Sequence, residues 1–224
     1  MGIYKLHPVI PAPPRFPDEL SHLRTITIHG DTSLLEKLLL PNLRELIVVD
    51  LDSYTSTPAS QLISILSRCS LEFLSYNSDP DPLSDVDMIQ ILETCPSLEQ
   101  LDLQNHATIC MSKTLIARLA CFRDRENSNM PQLVPKLHTI TVDYTPFDFD
   151  MLAFADAIES RMALSGGEDS ASDNALATEL KTVEIRYIPE QESELLDPAV
   201  LSRLRRLKDD GLKISVMQEQ EYLL

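Results

Sequence analysis

Residues 95–105, CPSLEQLDLQN, place leucines at 98, 101 and 103 and set Glu99, Gln100, Asp102 and Gln104 between them. That alternation has the period of a strand with one buried face. The same L-x-x-L-x-L spacing recurs as LRTITI from Leu23, LRELIV from Leu43, LEFLSY from Leu71, LHTITV from Leu137 and LKTVEI from Leu180. The six windows hold 18 inward positions, and 17 of them are Leu, Ile or Val; the exception is Tyr76. A composition that is 43% apolar would supply about eight by chance. LKISVM from Leu212 is a partial seventh copy, in which Ile214 and Val216 carry the alternation.

Helical signatures follow the windows. After Leu43, TPASQLISILSRC puts Pro58 at a helix start and Leu62, Ile65 and Leu66 on one face. After Leu71, SDVDMIQILETC begins with Ser84 as a cap and an acidic first turn, and spaces Val86, Ile89 and Leu92 helically. MSKTLIARLACF follows Leu98 and FDMLAFADAIESR follows Leu137. After Leu180, LDPAVLSRLRRLKDDG offers Asp197 as cap, Pro198 in the first turn, basic residues in the last turns and Gly211 as terminator.

The repeating unit is therefore strand, loop, helix. Leading leucines are separated by 20, 28, 27, 39 and 43 residues. The two intervals near 27 fall in the range of leucine-rich repeats. The longer ones accommodate insertions, FRDRENSNMPQLVP at 122–135 and ALSGGEDSASDNALATE at 163–179. A strand–helix unit of this kind cannot bury its own apolar face, so neighbours must stack. The expected fold is α/β: a leucine-rich-repeat solenoid, a short curved arc of six or seven irregular repeats with parallel strands on the concave face and helices on the convex one. The expected organisation is a Pro-rich N-terminal segment at 1–19, the repeat domain at 20–218 and a tail at 219–224. A doubly wound sheet also alternates strand and helix, but its strands run continuously apolar and a Gly-rich phosphate loop often follows the first of them. Here the strands alternate, no such loop is present, and the chain has five glycines.

The stretch ILETCPSLEQLDLQN resembles the leucine-rich repeats of F-box proteins, in which C-P-x-L-x-x-L-x-L is a common repeat opening. LLLPNLRELIV and PQLVPKLHTITV are similar to the repeat region of F-box-like proteins from basidiomycete fungi. The resemblance covers residues 20–216. It implies a non-catalytic protein-interaction module, the substrate-recognition part of an F-box-like ubiquitin-ligase receptor. The chain holds no segment that resembles the F-box itself, so adaptor binding is not expected of these residues. A different reading is a truncated or decayed member of an expanded fungal family with no dedicated partner. A third, from another class, is an enzyme built on an α/β sheet.

Charge narrows the partners. With 35 acidic against 19 basic residues the net charge is −16. Nucleic acid and anionic lipid want clustered Lys and Arg, so neither is an expected ligand. A protein partner with a basic or apolar segment fits better. The N-terminus has no apolar stretch long enough for a signal peptide, no 18-residue apolar run exists, and no Asn-x-Ser/Thr sequon occurs. These features predict an intracellular protein, cytoplasmic or nuclear.

The outward strand positions are the expected binding face. They comprise Thr25, Thr27 and His29; Glu45, Ile47 and Val49; Phe73, Ser75 and Asn77; Gln100, Asp102 and Gln104; Thr139, Thr141 and Asp143; Thr182, Glu184 and Arg186. The candidate contact residues are Glu45, Ile47, Val49, Phe73, Ser75, Gln100, Asp102, Gln104, Thr139, Thr141, Glu184 and Arg186. Ile47, Val49 and Phe73 read either as a hydrophobic anchor or as a patch covered by another part of the chain. Glu45, Asp102, Asp143 and Glu184 read either as an acidic track for a basic peptide or as a solvated face. Catalysis by paired carboxylates is not expected, because they lie on different repeats without a nucleophile or His partner. His7, His22, His29, His106 and His138 form no metal-binding spacing, and no metal or cofactor is expected. Cys69 and Cys95 each precede a strand window and read as equivalent core residues; Cys110 and Cys121 read as packing residues. RLRRLKDDGLK at 203–213 is the one basic cluster, and its place at a helix C-terminus suits the helix dipole. Ser170 and Ser172 lie among acids as possible phosphoacceptors in an insertion.

Overall fold

Three strand windows are entered through one recurring turn. Leu40-Pro41-Asn42-Leu43, Cys95-Pro96-Ser97-Leu98 and Val134-Pro135-Lys136-Leu137 each close with the N–H of the leading leucine donating to the carbonyl three residues back, at 3.1 Å in all three. Proline sits at the second position, where its fixed φ suits a β-turn. The turn delivers each leucine into the core: Leu43, Leu98 and Leu137 are buried.

A computed structural model describes residues 21–29, 38–49, 58–77, 83–104, 111–120, 133–144, 149–162, 179–187, 197–218 and 221–222. The N-terminal segment, nearly all of both insertions, Cys110, Cys121, His7, His106, Ser170 and Ser172 lie outside these residues. The strands are β1 Thr25–His29, β2 Glu45–Val49, β3 Phe73–Asn77, β4 Gln100–Gln104, β5 Thr139–Tyr144, β6 Thr182–Tyr187, β7 Lys213–Gln218 and β8 Glu221–Tyr222. The helices are α1 Pro58–Leu66, α2 Asp85–Glu93, α3 Lys113–Leu119, α4 Met151–Met162 and α5 Pro198–Asp209. All strands belong to one sheet, and their spatial order is their chain order. The first seven are parallel, and β8 returns antiparallel against Met217 and Gln218. The fold is thus α/β with a seven-strand parallel sheet and five described helices. Unlike a doubly wound sheet, it has no reversal of strand order and hence no topological switch point.

The register aligns every window. Leu46, Leu74, Leu101, Ile140, Val183 and Ile214 pair side by side, as do Val48, Tyr76, Leu103, Val142, Ile185 and Val216. All the inward window positions are buried except Leu23 and Ile26, which are partly buried because β1 has a neighbour on one side only. Tyr76 fills its inward slot as completely as the leucines do. Successive helices touch in the same order, α1 to α2 through α4 to α5, so they form one layer over one face of the sheet. Together the two layers enclose a single apolar core.

Caps and stops follow the sequence signals. Ser84 accepts from the N–H of Asp87, Ser112 from those of Thr114 and Leu115, and Asp197 from that of Ala199. Gly211 ends α5 at φ +107°, a conformation that side chains other than glycine rarely adopt. The buried face of α2 differs from the expected one. Met88, Ile91 and Leu92 are buried, Ile89 is partly buried, and Val86 is 63% exposed. The i, i+3, i+4 stripe that starts at Met88 turns Val86 away from the sheet. The basic residues of α5 also have a more specific role than complementing a dipole. Arg203 makes a two-pronged pair with Glu159 on α4, at 2.8 and 2.9 Å, and also bonds Asp156; Arg206 bonds Glu159 at 2.5 Å.

Arg161 of α4 is 2% exposed and ties α4 to the chain on either side of the segment between α3 and β5. Its Nε donates to the carbonyl of Leu119 at the end of α3, at 2.7 Å. Its two terminal nitrogens donate to the carbonyls of Leu133, Val134 and Leu137, at 2.8 to 3.5 Å. The guanidinium therefore bridges both ends of the segment between α3 and β5. Val134 lies at φ +43°, an unfavourable region for a β-branched residue. The Arg161 bonds to its carbonyl help to maintain that geometry.

Arg161→Met should strip several buried carbonyls of their donor and lower unfolding free energy by more than about 3 kcal/mol in urea titration. Arg161→Lys should recover little, because an ammonium cannot reach across the same fork. Bonding to Arg203 is the chief cause that holds the Glu159 carboxyl down, from 4.5 to about 2. A depressed carboxyl stabilises the fold above its unfolded value, and that stability is lost as pH falls through the folded one. Melting temperature should therefore fall between about pH 4.5 and pH 2, and less steeply in Glu159→Gln.

Candidate functional site

The face of the sheet opposite the helices carries three rows of side chains. Strand pairing sets the first row as Thr25, Glu45, Phe73, Gln100, Thr139, Thr182 and Lys213. The second is Thr27, Ile47, Ser75, Asp102, Thr141, Glu184 and Ser215. The third holds His29, Val49, Asn77 and Gln104 on β1–β4, and Asp143, Arg186 and Met217 on β5–β7. Every expected contact residue lies on this face, in one of these rows.

Exposure across the face is uneven. Thr25, Thr27, His29, Glu45 and Gln100 are exposed, while Asp102, Gln104, Thr139, Glu184 and Arg186 are partly buried. Ser75 and Thr141, expected to be wet, are 6% and 8% exposed. Each is a short side chain in the middle row between taller neighbours, Ile47 and Asp102 for Ser75, and Asp102 and Glu184 for Thr141. Ile47, Val49 and Phe73 are all partly buried. Phe73 is level with Glu45 rather than with Ile47, so the three lie on a diagonal across β2 and β3.

The polar residues are organised around Arg186. Its guanidinium lies 3.2 Å from Glu184, 3.4 Å from Asp143 on the adjacent strand and 3.4 Å from Asp102 two strands away. Burial by itself would lower the Arg186 pKa; the carboxylates of Asp102, Glu184 and Asp143 more than offset it, and the net shift is upward. Asp102 also accepts from Gln104 at 2.7 Å and from the Ser75 hydroxyl at 3.3 Å, and Asn77 donates to Gln104 at 3.5 Å. Three of the four acids in the expected track thus surround one arginine. Glu45 stands apart and accepts from the Thr25 hydroxyl at 2.9 Å. Glu45, Glu72, Phe73, Glu99 and Gln100 line a shallow open depression beside the first row.

A line of charges, formed by the residues after the leading leucines, runs along the N-terminal rim of this face. Arg44 pairs with Glu72 at 2.7 Å, and Glu99 with His138 at 3.5 Å. Arg24 and Lys181 stand further along the same line. The periodicity that identifies these strands was also the signal for this rim, but its bearing depends on which strands are adjacent.

Cys95 is a core residue, whereas Cys69, expected to be its equivalent, is only partly buried against the core. Both follow a helix and donate their N–H to the carbonyl three residues back, that of Leu92 and Leu66 respectively. Burial is the largest cause that raises the Cys95 thiol, to about 12, with the Thr94 hydrogen bond acting the other way. Burial also raises the Cys69 thiol, against the pull of Arg44. Neither is poised to be a thiolate. Among the described residues no group of three His, Cys, Asp or Glu is placed to hold a metal ion. No described helix is long and apolar enough to cross a membrane. Compared with family models, curated proteins and solved structures, the chain matches none of them.

Arg186→Met should leave the Asp143 carboxylate, whose side chain is 2% exposed, without its nearby cation. A loss of about 1–3 kcal/mol in denaturant unfolding is expected, with partial recovery in the double variant that adds Asp143→Asn.

Proposed function

We propose that this chain is a leucine-rich-repeat module that binds a protein partner along the open face of its sheet, without catalysing a reaction. The observation that carries the reading is the seven-strand parallel order with the described helices layered on the same side. Among the described residues such a stack leaves one broad face free of helices, and repeat proteins use that face for extended binding. The face mixes half-buried apolar side chains with exposed polar ones, the composition of a recognition surface with a polar rim. A basic or apolar segment is the partner chemistry we favour, on the strength of the −16 charge and the diagonal of Ile47, Val49 and Phe73. The sequence resemblance of the repeats to those of F-box-like proteins extends the proposal to a setting: recruitment of substrates to an intracellular ubiquitin ligase, with the adaptor bound elsewhere.

Affinity capture with wild-type and variant protein tests this reading. Gln100→Arg and Phe73→Ala alter the open face, whereas Val86→Asp alters an exposed position on α2. The reading expects a partner that the wild type and Val86→Asp retain, and that both face variants bind at least roughly tenfold more weakly with little change in melting temperature. A partner lost equally with Val86→Asp, or turnover of a substrate by the pure protein, would overturn it.

A further inference from the structure

We propose that a depression at the N-terminal ends of β1 and β2 is a binding site for a phosphate-class oxyanion. It is an open cavity of about 390 Å³ lined by Ser21, His22, Arg24, Asn42, Arg44 and Glu72. That volume lies in the range of small-molecule sites and exceeds what a single water shell needs. The lining is dominated by donors: two guanidinium groups, an imidazole, an amide and a hydroxyl. The one carboxylate, Glu72, already accepts from Arg44 Nη1 at 2.7 Å.

The backbone fixes the two arginines next to each other. The N–H of Arg44 donates to the carbonyl of Arg24 at 2.8 Å, which stacks the residues on adjacent strands. Like charges opposite one another in a sheet are destabilising unless something neutralises them. Glu72 does so for Arg44. The Arg24 guanidinium has no hydrogen bond or ion pair among the described residues. Asn42 donates to the carbonyl of Ser21 and ties the chain before β1 to the turn before β2, so the two sides of the cavity are held together. Arg44 Nη1 is engaged by Glu72 and by the Ser70 carbonyl at 3.3 Å, and the Asn42 amide by the Ser21 carbonyl, so the Arg24 fork beside the His22 imidazole is the cationic group left to a ligand, and a guanidinium fork suits the several oxygens of a phosphate-class anion. In a chain with net charge −16, a concave site with this excess of cationic donors runs against the charge of the whole. The site does not depend on the partner-binding role proposed above.

The test is a titration of the full chain, followed by NMR chemical shifts at constant ionic strength, with inorganic phosphate, phosphoserine and acetate. Phosphate or phosphoserine should saturate at about millimolar concentration, and whichever binds more tightly tells a free ion from an ester. Acetate should bind at least roughly tenfold more weakly. Arg24→Gln, an exposed substitution, should keep the melting temperature and lose roughly tenfold or more in phosphate affinity. Glu72→Gln removes the competing carboxylate and should tighten binding several-fold. Equal affinity for acetate and phosphate, or wild-type phosphate binding in Arg24→Gln, would overturn the proposal.

Discussion

One hydrogen-bond arrangement repeats along the sheet and sets everything else. At five junctions the carbonyl of the residue after the leading leucine accepts two consecutive N–H groups from the next repeat, and at the sixth the Lys181 carbonyl accepts that of Lys213 alone. Arg24 takes those of Arg44 and Glu45; Arg44 those of Glu72 and Phe73; Glu72 those of Glu99 and Gln100; Glu99 those of His138 and Thr139; His138 those of Lys181 and Thr182. This shared acceptor fixes where every strand begins relative to the one before it. With the start fixed, a side-chain period of two decides which residues face the helices. A slip of one residue at any of these points would turn a leucine row to water. The spacing between leading leucines varies by more than a dozen residues without disturbing the ladder, because the ladder is reset at every repeat.

The same regularity explains what the sequence disclosed. Apolar residues at 98, 101 and 103 identify a strand because a period of two puts them on one face of an extended chain. Helix starts were legible at Ser84, Pro58 and Asp197, where local chemistry and local structure coincide. What stayed illegible depends on neighbours distant in the chain. Arg161 reads as an ordinary charged residue in the last turn of a helix; only the packing of α3 and the 133–137 turn against α4 shows it buried. Ser75 and Thr141 read as wet positions because their burial comes from the height of the side chains on either side. The clamp on Arg186 joins residues 84 apart in sequence, Asp102 and Arg186, and no local pattern announces it.

The open face therefore divides into two regions with different physics. Around Arg186 the polar groups satisfy one another, so a ligand that displaced them would have to replace charge-assisted bonds. Toward β1 and β2 the side chains are more exposed and less committed, with Thr27, His29 and Glu45 exposed and Ile47 and Val49 half-covered. Rigidity at one end and availability at the other make the face directional, although the backbone beneath it is nearly uniform.

The short strand β8 gives that direction a further meaning. By pairing antiparallel with Met217 and Gln218, it occupies the N–H and C=O groups that another parallel strand in the common register would need. Exposed strand edges invite unrelated chains to add themselves to a sheet. Here the chain supplies its own stop at the end of β7, at the cost of two residues of reversed pairing. Two of the six residues of β7 are thereby paired in the reverse direction, and at those two positions the edge is closed to a further parallel strand.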